Sequence, residues 1–378
     1  QIRYKNIGVM PTVGSPGGGT HQWTTNILKA LEDYANVQNS VKIHLYYYPH
    51  YTEFNLLKSK FPDFHFHKIE KIDEFLSKVL RRVMIFIPFS IAGLRYFYPL
   101  NFICRRDDID LMIFAGATLD VACYTGQQIF MFTDIAHIFY PQFPEVSANG
   151  LLRIRDIIFK YGLKFANRIV VESEQLRSDI ARYYSADLTK TDVLYQTMSQ
   201  TLENRESEGC PDFNRQLPAK YIFYPAQFWK HKNHKNLLYA MKILVTEIPN
   251  LCLVLTGSRQ EGDEHIFSLI EELNLQNNVI CLGYVPDKHM PILYKNAQMM
   301  VMPTYFGPTN IPTLEAFYYG CPAVVSNLPG VTEQTGNAAL LFDPDSPRDM
   351  ANKIMLILMN RDLKDEKIKS GYERLKIL

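Results

Sequence analysis

At 378 residues the chain exceeds what one hydrophobic core usually serves, so two domains are expected. Apolar residues make up 47% and charged residues 21%, the balance of an ordinary globular protein, and a formal net charge of +1 argues against a dedicated nucleic-acid binder. Six scattered cysteines without a C-x-x-C pair favour neither a disulfide framework nor a zinc site, and point to a reducing, cytoplasmic setting.

From the start at Gln1 no charged-then-apolar leader is seen. The first half then alternates short apolar strands with helical patterns. "KNIGVMP" reads as a strand, followed by the loop "TVGSPGGGT" and a helix from about His21 to Tyr34. "VKIHLYYY", "LMIFAG", "IFMFTD" and "NRIVVES" read as further strands, with helices over "LLRIRDIIFKYGLKFA" and "SEQLRSDIARYY". Within this half, "VMIFIPFSIAGLRYFYPLNFIC" is about as long as a membrane span, but Pro88, Gly93, Arg95 and Pro99 interrupt it. A buried helix pair or contact with a membrane surface fits it better than a spanning helix.

Apolar periodicity stops between Thr201 and Lys220, where polar residues, Gly and Pro take over. The domains are therefore expected at 1–200 and 218–378, with a linker over 201–217. Alternation resumes with the strands "YIFYPA", "LCLVLTG", "NVICLGYV", "MMVMPT" and "PAVVS". Helices are expected between them, one beginning near Thr313 and a last one from about Pro347. Repeated strand–helix alternation implies an α/β fold of two Rossmann-like halves, each a parallel sheet covered by helices on both faces.

Ligands in such folds collect at the carboxyl ends of strands, which directs attention to four loops. "GSPGGGTH" lets the backbone approach a ligand, yet it fits neither a nucleoside-triphosphate loop nor a dinucleotide fingerprint. "FTDIAHIFYPQF" presents Asp134 and His137; a helix cap with a packed imidazole and a cleft imidazole facing a substrate are both open. "YPAQFWKHKNHKN" crowds Lys230, His231, Lys232, His234 and Lys235 at a helix start, where cations oppose the helix dipole unless an anion is near. "FGPTNIP" can aim amides at a phosphate or hydroxyl, with Glu315 expected in the first turn of the helix behind it. That carboxylate is either a simple cap or a partner for a vicinal diol.

Taken together, "GGGTHQW", "TDIAHIFYP", "SEQLRSDIARYY", "HKNHKNLLYA", "VLTG", "LGYVPDKHMPILYKNA" and "PTNIPTLEAFYYGCPAVVSNLPGVTEQTGNAALLFDP" resemble the group 1 retaining glycosyltransferases of GT-B fold, in that family's order. The resemblance implies two Rossmann-like domains facing a cleft, with acceptor on the first and nucleotide sugar on the second. It also implies transfer with retention and without a metal. Glu315 matches the acid that holds the donor ribose, while the family's first acid falls on Gly307. Lys232 matches the lysine that neutralises the diphosphate, and Gln227 stands where the family has Arg. Gly18 and Gly19 match the loop beside the leaving phosphate. His137 matches a cleft histidine that contacts the donor. Thr309, Asn310 and Ile311 match the peptide at the donor sugar, and Gly257, Gly283, Tyr284 and Val285 fall at further donor positions, the last three around the nucleobase. Family members end in a helix that crosses back to the first domain, whereas this sequence stops at "GYERLKIL", ahead of that element.

The resulting expectation is a hexosyltransferase, with mannose mildly preferred, acting from a nucleoside-diphosphate sugar onto a saccharide or polyprenyl-linked acceptor. It would work in the cytoplasm, at the inner face of a membrane if Ile85 to Phe102 touches lipid. The rivals are a sugar-nucleotide epimerase of similar fold and a non-catalytic carbohydrate-binding relative.

Overall fold

The computed structural model describes residues 4–12, 19–38, 40–49, 54–198, 217–259, 263–307 and 309–378. The chain divides into two compact units, Gln1–Pro141 with Val146–Leu194, and Gln142–Glu145 with Tyr195–Leu378. The division falls a few residues ahead of the expected end at 200, and the four residues 142–145 pack with the second unit. Of the expected linker 201–217, only Leu217 lies within the described residues.

The first unit is built on seven strands: β1 (Asn6–Pro11), β2 (Lys42–Tyr47), β3 (His65–Lys68), β4 (Leu111–Ala115), β5 (Gln128–Phe132), β6 (Arg168–Val171) and β7 (Thr191–Val193). They pair in parallel in the order β3-β2-β1-β4-β5-β6-β7. Val9 sits opposite Leu45 on one side and Ile113 on the other. Such strands are covered on both faces, which is why β1, β4 and β5 read as nearly unbroken apolar runs. The helix Glu174–Tyr184 is capped by Ser173, whose Oγ accepts from the Leu176 N–H at 3.0 Å.

The second unit repeats the scheme with β8 (Tyr221–Pro225), β9 (Cys252–Thr256), β10 (Val279–Cys281), β11 (Met300–Met302), β12 (Ala323–Ser326) and β13 (Ala339–Phe342). Its parallel order is β10-β9-β8-β11-β12-β13. Helices His234–Glu247, Glu264–Glu272, Met290–Asn296, Ile311–Tyr318, Pro347–Met359 and Arg361–Leu375 follow their strands. The expected last helix is thus two helices, parted at Asn360, whose side chain caps the second one at Leu363 N. This doubly wound α/β arrangement, one sheet per unit, is the fold class expected from the alternation.

The interrupted apolar segment is a chain of short helices. The helix Lys71–Phe86 ends near Ile87, a turn at Pro88–Ser90 and short turns over 91–97 follow, and Pro99 opens the helix Pro99–Arg106. Among the described residues no helix is long and apolar enough to cross a membrane.

A buried ionic network anchors these helices to the strand ends of the first unit. Arg81 donates to Asp120 at 2.7 Å and to the Tyr98 hydroxyl at 2.6 Å, and it also bonds the Tyr48 hydroxyl. Tyr48 and Tyr98 donate to the same Asp120 oxygen at 2.6 and 2.8 Å. Burial alone would raise the Asp120 pKa, but Arg81 and these hydroxyls hold it below the usual carboxylate range.

Candidate functional site

In the second unit the strand order reverses between β8 and β11, so a crevice opens beyond their carboxyl ends. Both flanking loops were singled out from sequence, and main-chain hydrogen bonds tie them together. The Tyr305 N–H donates to the His231 carbonyl at 2.8 Å, and Thr304 Oγ1 donates to the same oxygen at 3.3 Å. Asn233, at φ 58°, sends its side-chain amide to Pro303 O at 3.0 Å and Pro344 O at 2.8 Å. Asn tolerates this left-handed conformation better than most residues. Phe306 stacks on His231 with ring centres 4.0 Å apart.

The loops after β9 and β10 join the same edge. Ala226 N–H donates to Thr256 O at 3.1 Å, and Gly257 N–H to Gly283 O at 2.8 Å. Gly257 has φ +125°, and a Cβ there would collide with the Ala226 carbonyl, so only glycine fits. Tyr284 beyond Gly283 is exposed, while Val285 is buried.

Lys232 lies at the end of the turn Lys230–Lys232, its carbonyl held by the Tyr224 hydroxyl at 2.8 Å. Its side chain is half-buried and forms no hydrogen bond or ion pair among the described residues. Desolvation lowers its pKa to about 8, against the opposing pull of the Glu145 carboxylate. Glu145 lies 3.3 Å from His231 Nδ1. Burial would raise the Glu145 pKa, but bonds from His231 outweigh it and the carboxyl stays ionised. His234, on the next helix, is buried between Phe228 and Tyr224, and its Nε2 finds no partner among the described residues. Burial, then Lys232 and His231, hold its pKa at about 3, so it is neutral. Gln227 is half-buried and accepts from the Trp229 indole at 2.8 Å.

The peptide before Glu315 is braced from behind. Gln334 accepts the Asn310 N–H at 3.0 Å and donates to the Asn310 carbonyl at 3.2 Å, while the Asn310 side chain donates to Gly307 O at 3.0 Å. The Asn310 amide is therefore engaged within the protein; Thr309 and Ile311 flank it, and Ile311 opens the helix Ile311–Tyr318. That helix starts two residues earlier than Thr313, because Pro312 favours a first-turn position and Asn310 stands at the cap. Glu315 consequently leaves the first turn, where it was expected, and falls in the second. It is buried and accepts from the Tyr294 hydroxyl at 2.6 Å. Burial and the neighbouring Glu315 push the Tyr294 pKa far up, keeping that hydroxyl a donor. Gly307 has φ +108°, a conformation that an acid at this position would rarely adopt.

His137 and Gly19 belong to the first unit. Gly19 opens the helix Gly19–Gln38, while Gly18 and most of its loop lie outside the described residues. His137 is buried on Phe159, with Nε2 2.7 Å from the Tyr184 hydroxyl and Nδ1 accepting from Arg155 at 3.3 Å. Arg155 also pairs with Asp134 at 2.6 Å, and Asp134 accepts the Ala136 N–H at 2.8 Å. Burial first, and Arg155 second, hold the His137 pKa at about 4, so the ring is neutral at pH 7.

Sequence reasoning missed Gln334, Tyr294 and Glu145, each brought in by contacts distant along the chain. Among the described residues no group of three or more metal-ligating side chains could hold an ion.

Residues 211–374 match the family model described as glycosyl transferases group 1. O-antigen chain mannosyltransferase B of Escherichia coli is 30% identical over 207 residues, covering 53% of this chain and 54% of that protein. O-antigen chain mannosyltransferase RfbU of Salmonella typhimurium is 24% identical over 199 residues, 52% of each chain. The chain spans about half the length of these curated relatives in the matched region. Among solved structures, sucrose-phosphate synthase from Thermosynechococcus elongatus superposes with a TM-score of 0.74 at 18% identity, over 99% of this chain and 94% of that one. That likeness shows a shared two-sheet α/β fold over 99% of this chain. Residues 211–374, which carry Lys232, Gly257, the Gly283–Val285 loop and Glu315, are thus similar to the group 1 family of glycosyl transferases.

Proposed function

We propose that the protein is a retaining hexosyltransferase that moves mannose from a nucleoside-diphosphate donor to a saccharide or polyprenyl-linked saccharide. The observation that carries this reading is the half-buried, unpaired Lys232 ammonium beside residues 305–307 and 309–311 at the β8/β11 reversal. Two mannosyltransferase relatives support the choice of sugar.

In this reading Lys232 meets the diphosphate and stabilises the charge that develops as the sugar leaves. The amide end of the helix Ile311–Tyr318 adds a positive dipole, with Thr309 and Ile311 at the sugar. Gln227 donates to a phosphate oxygen. The backbone around Gly257 and Gly283–Val285 receives the base. Glu315, held by the Tyr294 hydroxyl, fixes the ribose. The incoming hydroxyl attacks on the face of the departing diphosphate, whose oxygen takes its proton; retention follows without a covalent sugar–enzyme intermediate. No metal enters this scheme, and the enzyme is assigned to the cytoplasm, at the inner face of a membrane.

A panel of nucleotide sugars screened by thermal stabilisation tests the donor, since a ligand at about 100 times its Kd adds about 2.7 kcal/mol. The best donor is then incubated with and without acceptor, and with EDTA. Nucleoside diphosphate released only with acceptor, and unaffected by EDTA, is the expected result. An isomerised sugar nucleotide formed without acceptor would make the protein an epimerase, and binding without turnover would make it a carbohydrate-binding relative.

A further inference from the structure

The helix Lys71–Phe86 is amphipathic but faces the wrong way for a surface helix. Its inward side carries Glu74, Ser77 and Met84, all buried, together with Arg81 paired to Asp120. Its outward side carries Ile72, Phe75, Leu76, Val79, Val83 and Phe86, all exposed, with Phe75 at 63% and Phe86 at 74%. The spacing of three and four residues makes these one continuous stripe. Tyr96, Phe97 and Phe102 on the following turns and helix are exposed as well. Scattered exposed apolar residues are ordinary, but a contiguous stripe marks a surface that meets a partner.

We propose that this stripe docks the first unit on an anionic lipid bilayer. Charge selects the occupant. Of the seven basic residues in 71–106, Arg81 is paired with Asp120, Arg106 with Asp107 and Lys78 with Glu74, which leaves Lys71, Arg82, Arg95 and Arg105 against Asp73, four basic less one acidic, or +3, in a chain whose total is +1. Glu74 is neutralised by Lys78 at 2.7 Å, while Lys71, Arg82 and Arg105 are exposed. A second copy seated on the stripe would set this basic surface against itself, whereas anionic headgroups complement it. The helix inserts its apolar side at the headgroup boundary and lies in the membrane plane, with aromatic rings at the depth they favour.

The inference deepens the lipid-linked acceptor reading, yet its test needs no turnover. The full chain is sedimented with vesicles of phosphatidylcholine alone or mixed with phosphatidylglycerol, at about 50 mM and about 500 mM salt. Wild type is expected to bind the anionic vesicles at least about tenfold better, less so at high salt. Phe75→Ser with Phe86→Ser abolishes binding at an unchanged melting temperature, and Arg82→Glu with Arg105→Glu removes the preference for phosphatidylglycerol. Wild type failing to bind, or the Phe75/Phe86 variant binding as wild type does, overturns the proposal. So does a wild-type dimer in solution that the same variant dissociates, since a second copy would then cover the stripe. Nucleoside-diphosphate binding, measured on the same samples, is expected to be intact in both variants; its absence from wild type would count against the transferase reading and leave the membrane result standing.

Discussion

Replacing Lys232 by Met separates the cost of a buried cation from its use. A lysine held at about 8 rather than 10.5 corresponds to about 3 kcal/mol of disfavoured charge, at roughly 1.4 kcal/mol per tenfold. At pH 7 the side chain is charged in folded and unfolded chains alike, and the folded state bears that penalty. Between about pH 8 and 10.5 the unfolded state binds the extra proton, so this group makes stability rise with pH across that window. A diphosphate beside the ammonium should push the pKa back up, so binding at pH 8.5 takes up a proton and affinity falls as pH climbs past 8. Lys232→Met should therefore melt at or above the wild-type temperature at pH 7, while losing about 1.5–3 kcal/mol of nucleoside-diphosphate affinity, the worth of a charged hydrogen bond. Calorimetric titration with the nucleoside diphosphate of the best-stabilising donor, in buffers of differing ionisation enthalpy and paired with thermal melts, reads both effects. Unchanged affinity in the variant, or no proton uptake by wild type at pH 8.5, would refute the assignment.

Gly307→Glu, which restores the family's first acid, should strain a backbone at φ +108° by about 1–3 kcal/mol and lower the melting temperature without raising kcat. Gln334→Ala removes both bonds to Asn310, so donor KM should rise several-fold in steady-state kinetics while acceptor KM holds. Arg81→Leu leaves Asp120 buried without its cation, and should cost about 3–5 kcal/mol in chemical denaturation. His137, neutral with a pKa of about 4, should contribute no titration to the rate between pH 5.5 and 8, so a His137→Asn variant should keep the wild-type pH profile shape whatever its rate.

The central strands were legible because burial on both faces turns them into apolar runs. Of the edge strands only β10 was: β3 is "HFHK" and β7 is three residues, too polar or too short to signal, and the four residues of β13 were missed as well. The helix Lys71–Phe86 had the periodicity of a helix in its apolar residues, but nothing local says which side faces inward. That was decided by Arg81 reaching Asp120, thirty-nine residues on. Lys232 and Glu315 were readable as a cation and an acid beside strand ends. Glu315 lies two residues deeper in its helix than expected, because Pro312 favours a helix start at Ile311. Gln334 and Glu145 carried no local mark, since each acts on a loop far away in sequence.

The most direct measurement is a crystal structure with the nucleoside diphosphate of the best-stabilising donor bound. Diphosphate within hydrogen-bond reach of Lys232 Nζ, ribose on Glu315 and base along Gly283–Val285 is the expected result. Nucleotide bound at another edge of the sheets, with Lys232 untouched, would contradict the account.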